Sequence, residues 1–225
     1  MALPKEQKWG ISCRFHIASE CEAVYNVKLV FRHCLTKKEP DAMNLQTTST
    51  LEFVKIFAKA TKDLIQGTTG KQINVSKTAL QISGIQMSGD IGAFVTFSGD
   101  YSGIMVLNFE GAAALEIVQD TLLLLGLPQE EIPTHFSNDE VRNNIGEVTN
   151  QVVGRCRTMV QEKYDLSARA NIPAVVPITV AVSLSMVTKE PTELECTRIA
   201  FTTAKRNRFY MELALEPVLA NPLDI

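Results

Sequence analysis

The stretch Asn143-Asn-Ile-Gly-Glu147-Val-Thr-Asn150-Gln-Val-Val-Gly154 constrains the fold more than any other part of the chain. At roughly 100° per residue, Asn143, Glu147, Asn150 and Gly154 fall within about 60° of one another, while Val141, Ile145, Val148, Val152, Cys156 and Met159 gather on the opposite side. Such a helix must seat one side on a core while the other holds an acid and an amide one turn apart, facing outward. The residues before it supply a start. Ser137 and Glu140 have the spacing of a capping box, and Phe136 with Val141 that of a hydrophobic staple. The first turn is therefore expected just after Ser137, with the helix running to about Lys163. A capped helix fixes the geometry of Glu147 and Asn150, which a catalytic pair requires and a merely solvated face does not.

The rest of the chain mixes helical and strand periodicities. Leu51 to Gln66 has a helical pattern, with Leu51, Val54, Phe57, Ala58, Leu64 and Ile65 on its apolar side and Gly67-Thr-Thr-Gly70 ending it. Gln72 to Val75 and Leu80 to Ile85 read as short strands. Ala93 to Phe97 and Gly103 to Phe109 form a predicted hairpin around Ser98-Gly-Asp-Tyr-Ser102. Glu110 to Leu125 is a predicted helix closed by Gly126 and followed by Pro128. Ile178 to Val187 has the β-branched alternation of a strand, and Cys196 to Thr203 with Phe209 to Leu215 a second hairpin turning near Lys205-Arg-Asn207. Helix followed by strands thus occurs twice, which suggests an internal pseudo-repeat of two halves. Setting Gly67 opposite Gly154 places Ile56, Ala60 and Asp63 against Asn143, Glu147 and Asn150, so the first helix lacks the acid–amide pair.

A chain of 225 residues with 45% apolar content suffices for one sizeable core and is short for two independent domains. Its net charge of −3 and scattered Lys and Arg give no nucleic-acid footprint, and Lys205-Arg206-Asn207-Arg208 reads as a polar turn. No run approaches the ~18 apolar residues of a membrane span, and Met1 to Lys8 lacks the apolar stretch of a secretory signal. The protein is expected to be soluble and cytoplasmic, with neither membrane nor nucleic acid as partner. Five cysteines at irregular spacing fit reduced thiols. Cys13, His16, Cys21, His33 and Cys34 match no familiar zinc pattern, so no metal site is expected. Ser-His-Asp, Cys-His, P-loop and dinucleotide patterns do not stand out, which leaves covalent catalysis and cofactor chemistry without support.

The spacing Glu147-x2-Asn150, then Pro173 after a further 22 residues, resembles the signature of the CheC/CheX/FliY family of bacterial chemotaxis phosphatases, and within it the single-motif CheX type. Ile145-Gly146-Glu147, Asn150 and Gly154 reproduce the family's I-G-E-x-x-N-x-x-x-G helix. Asn143 departs from it, standing where the family usually has Asp or Ser. The resemblance takes in the glycine-punctuated segment Gly89 to Asn108 and the helix Gly111 to Leu125, and spans roughly Thr48 to Glu216. It implies an α+β fold, an antiparallel sheet with packed helices, over a domain at 43–216. Residues 1–42 would be an N-terminal extension and 217–225 a C-terminal tail. A native start at Met43, with the upstream stretch a gene-start error or an extension, is the accompanying hypothesis.

What the resemblance implies about function is a phosphatase that removes the phosphoryl group from the phospho-aspartate of a CheY-like response regulator in chemotaxis or two-component signalling. Asn150 would position the attacking water, and Glu147 would pair with a lysine of the regulator. The regulator's own acids would hold Mg2+, and the phosphatase would carry no cofactor of its own. Gly146 and Gly154 would admit the partner's backbone or serve packing, Asn143 would hydrogen-bond in the site or lie as polar surface, and Pro173 would lead the chain into its next strand. The chain would carry one active surface where some relatives carry two, and a homodimer is implied. The alternative is a non-catalytic adaptor for a phosphorylated regulator, or a flagellar-switch-like scaffold.

Overall fold

The computed structural model describes residues 25–30, 50–187 and 194–216. Its elements are, in order, β1 (Tyr25–Val30), α1 (Thr50–Thr69), β2 (Asn74–Val75), β3 (Leu80–Ile82), β4 (Ile85–Met87), β5 (Ile91–Gly99), β6 (Gly103–Phe109), α2 (Gly111–Leu124), a 3-10 turn (Gln129–Glu131), α3 (Asp139–Tyr164), β7 (Ala168–Ala170), β8 (Ala174–Pro177), β9 (Val182–Val187), β10 (Glu195–Thr202) and β11 (Arg208–Leu215). The two long helices and α2 lie on one face of an eight-stranded sheet ordered β2-β10-β11-β6-β5-β7, in which β3 also joins β10 and β8 joins β5. A small sheet, β1-β9-β4, accompanies it. Every strand pairing in the main sheet is antiparallel. The α+β class is therefore as expected.

Packing follows from the alternation along the strands. One set of side chains, including Phe53, Phe57, Phe97, Phe109, Phe201 and Phe209, fills the space between helices and sheet. The opposite set, including Val106, Ile104 and Ala214, meets Ile85, Met87 and Leu184 of the small sheet. Strand β6 is buried at every residue because both of its faces are covered. A half-buried ion pair crosses this second layer: the buried Glu212 accepts from the partly exposed Arg198, from the backbone nitrogen of Gln86 and from the Asn108 side chain.

The pseudo-repeat is laid out in the sheet. Each half contributes a helix, a pair of short strands and a hairpin, and the short strands of each half join the hairpin of the other: β2 and β3 pair with β10, while β7 and β8 pair with β5. The hairpins meet at β6 and β11, and β4 meets β9. The burial pattern sets the helix register. Phe53, Val54, Phe57, Ala58, Thr61, Ile65 and Thr69 are buried along α1 at the positions that Val148, Thr149, Val152, Val153, Cys156, Val160 and Tyr164 hold along α3. The same register continues into the strands, since Val75 faces Phe201 as Ala170 faces Phe97. This corrects the glycine-based alignment: Glu52 and Lys55 lie opposite Glu147 and Asn150, and Ile56 and Ala60 are covered core residues. The first helix keeps an acid and lacks the amide.

Several boundaries differ from the sequence reading. Helix α1 passes through Gly67 and ends at Gly70, which takes a φ of +64°. Leu51, expected on the apolar side, is about half exposed. The stretch Leu80 to Ile85 divides at Ser83-Gly84, β3 staying in the main sheet and β4 crossing to the small one to bury Ile85 and Met87. Ile178 belongs to no strand; β8 ends at Pro177, and the Ile178 side chain turns into the second core beside Met87. The two predicted hairpins and α2 stand within two residues of their expected bounds. Thr203, Lys205 and Asn207 at the second hairpin's turn are held by the buried Glu116 carboxylate. Of the stretch before the domain, Tyr25–Val30 pairs in parallel with β9. Cys13, His16, Cys21, His33, Cys34, Met43 and the 217–225 tail lie outside the described residues.

Candidate functional site

Helix α3 begins one residue later than the capping-box spacing suggests. Asn138 is the cap, its side-chain oxygen accepting from the Glu140 amide at 2.9 Å. Ser137 is engaged by His135, whose Nδ1 lies 2.8 Å from the serine hydroxyl. The Phe136 ring, expected as a staple on Val141, covers Gly111 at the start of α2, where an added Cβ would stand 2.6 Å from it. Val141, Ile145, Val148, Val152 and Cys156 are buried as the pattern requires, and burial pushes the Cys156 thiol's pKa well up. Met159 is partly buried against the same core.

The outward stripe opens onto a cleft of about 360 Å³ lined by Arg142, Asn143, Gly146, Glu147, Asn150, Ile172, Pro173 and Val175. Residues more than twenty positions apart in sequence thus share one surface, because β8 lies beside α3. Glu147 and Asn150 are both exposed. One oxygen of Glu147 accepts from Gln151 Nε2 at 2.8 Å, which steadies the carboxylate at the wall of the cleft. Asn143 and Asn150 make no hydrogen bond with another described side chain. Their amides are available to a ligand, each offering both a donor and an acceptor.

The two glycines of the stripe differ. A Cβ on Gly146 would approach Val175 at 3.3 Å, so the missing side chain brings α3 close to β8. Around Gly154 there is nothing within 4 Å, and it does not line the cleft. Pro173 does line it and leads directly into β8. Its loop is fixed by Asn171, whose backbone nitrogen donates to the Thr96 carbonyl at 3.0 Å and whose side chain donates to the Thr96 hydroxyl at 2.7 Å.

Arg142, Gln151, Ile172 and Val175 were not singled out by sequence. Arg142 pairs with Asp139, donates to the Ser137 carbonyl at 3.0 Å and reaches the cleft from the flank of the helix. Gln151 could have been found by its i,i+4 spacing from Glu147. Ile172 and Val175 carry no local signal, because their place depends on β8 packing beside α3. Taken together, the cleft presents one carboxylate and two amides, with the Arg142 guanidinium held by Ser137 and Asp139 at the helix start, a set suited to orienting a water and pairing with a cationic group of a partner.

Over residues 44–218 the sequence matches the model of a family described as "Protein of unknown function (DUF3334)". A search of the curated proteins finds no match. Among solved structures, the chain is similar to the chemotaxis protein CheX of Desulfovibrio desulfuricans, with 23% identity, 73% of this chain and 99% of that one covered, and a TM-score of 0.58. For CheX of Vibrio vulnificus the figures are 20%, 73%, 99% and 0.57. A crystal structure of a CheX-CheY-BeF3-Mg2+ complex from Borrelia burgdorferi gives 13%, 73%, 97% and 0.53. The architecture described above is the CheX/CheC fold.

Proposed function

The chain belongs to the DUF3334 family and has the CheX/CheC fold, and from that premise we propose that it is a CheX-like phosphatase acting on the phospho-aspartate of a CheY-like response regulator. The observation that carries the reading is that Glu147 and Asn150 project from one face of a well-seated helix into the same cleft as Pro173. Further support is that a protein of the same fold was solved in complex with CheY, BeF3 and Mg2+.

Hydrolysis of an acyl phosphate passes through a loose transition state, so an in-line water matters more than a strong base. The Asn150 amide holds that water without setting negative charge against the phosphoryl oxygens. The water oxygen bonds to phosphorus as the bond to the aspartyl oxygen breaks, and both of the water's protons leave with the phosphate, one on the new oxygen and one transferred to a phosphoryl oxygen. The aspartate returns as a carboxylate. Glu147, steadied by Gln151, pairs with a lysine of the regulator, and Mg2+ sits on the regulator's own acids. The reading places the protein in the cytoplasm with its substrate and includes a homodimer joined through an exposed strand edge. Among the described residues no helix is long and apolar enough to cross a membrane.

The test is the rate of phosphate loss from a phosphorylated CheY-like regulator of the same organism, with Mg2+, in the presence of the parent or of Glu147→Ala/Asn150→Ala. Acceleration by the parent alone is expected. Asn143, where the family has Asp or Ser, favours the second reading, a non-catalytic adaptor; phospho-selective binding without acceleration would establish that instead.

A further inference from the structure

Ile172 is 92% exposed, more than any other large apolar residue among the described ones. A single exposed isoleucine is ordinary; its position is not. It stands on the lip of the cleft that holds Glu147 and Asn150. It is also presented rigidly, between Asn171, tied twice to Thr96, and Pro173, whose ring fixes its own φ. Pro173 and Val175, the other apolar side chains of the cleft, are half-buried, and its remaining fully exposed groups, Asn143, Glu147 and Asn150, are polar or charged and orient a partner by direction and sign. Ile172 supplies that area without losing freedom on binding, the property of an interface anchor.

Resting on the phosphatase reading, we propose that Ile172 is a specificity-determining residue that inserts into an apolar recess beside the phosphorylated pocket of the regulator. Seated there, it adds affinity for the bound regulator and leaves the approach of the Asn150 amide to the phosphoryl group to the helix. Ile172 touches no reacting atom; it selects regulators that have the recess.

Steady-state dephosphorylation of the CheY-like regulator, phosphorylated with acetyl phosphate in Mg2+, separates the roles. Ile172→Ser should raise KM by roughly tenfold with kcat at saturation unchanged, and Ile172→Leu should restore KM. Direct titration of the phosphorylated regulator should show the same weakening, and melting temperatures should match the parent. An unchanged KM, or a fall in kcat without a rise in KM, overturns the proposal. Asn150→Ala run alongside should lose kcat and keep its affinity. If it does so while Ile172→Ser behaves as the parent, the phosphatase stands and the anchor falls. If the parent neither hydrolyses nor binds the regulator, both fall.

Discussion

Helices α1 and α3 occupy equivalent places in the two halves and bury equivalent residues, yet they present opposite kinds of surface. On α3, Glu147 is held by Gln151 through one oxygen and lines a cleft, and Asn150 has no hydrogen-bond partner among the described side chains. On α1, both oxygens of the equivalent Glu52 are taken, by Lys55 at 2.6 Å and by Lys163 at 2.9 Å, and Lys55 stands where the amide would be. These two lysines hold the Glu52 carboxyl down to about 2. Helix α1 is also covered over a wider arc, since Ile56 and Ala60 are buried where α3 has exposed Gln151 and Arg155. The same scaffold therefore serves two purposes. An acid whose charge is already satisfied holds elements together, whereas one left half-satisfied on a rigid helix is available to a partner.

The largest effect should come from the side the helices share. Phe53, fully buried and stacked on Tyr164, should cost about 3–5 kcal/mol as Phe53→Ala, and its counterpart Val148→Ala about 2 kcal/mol, read by chemical denaturation. Equal losses would mean that the two halves contribute equally to the core at this position. Next is conversion of one stripe into the other. Asn150→Lys, which gives α3 the acid–lysine pair of α1, should lower regulator dephosphorylation by about 10²-fold with stability within about 0.5 kcal/mol of the parent. Full activity in that variant would remove the amide from the mechanism.

Smaller effects separate the two glycines. Gly154→Ala should stabilise the protein by about 1 kcal/mol, since the position has open space and a better helix former is introduced. Gly146→Ala should gain less, because Val175 must give way. A weakening of regulator binding in the stabilised Gly154→Ala would show that the bare backbone there serves the partner. The smallest effect concerns Glu52. Its pKa is depressed in the folded state, so its contribution is present above 4.5 and is lost as pH falls toward 2. The melting difference between parent and Glu52→Gln, an exposed pair worth at most about 1 kcal/mol, should shrink over that window. A difference that grew on acidification would contradict the ion-pair account.

Much of this architecture is legible in the residue pattern alone. The 3.6-residue periodicity of α3 puts Glu147 and Asn150 on one outward stripe, and alternation with turn residues locates both hairpins to within two residues. What local pattern cannot supply are contacts between distant segments. The cap moves to Asn138 because Ser137 is used by His135. The strand expected over Ile178 to Val187 starts only at Val182, because the chain first adds β8 to the main sheet and then crosses at Ile178 to the small one.

The pseudo-repeat shows the division most clearly. Sequence could suggest two halves, but the glycine match set the wrong register, because a glycine ending one helix need not be equivalent to one inside another. Burial set it correctly, since the positions that must leave water are dictated by the shared core. By itself the sequence determined that α3 carries an outward acid–amide stripe, a consequence of local backbone geometry. The tertiary structure decided that this stripe would face Pro173 and Ile172 across a cleft while its counterpart on α1 was closed by lysines. Those outcomes depend on how sheet and helices pack, a balance of long-range contacts that no window of residues contains.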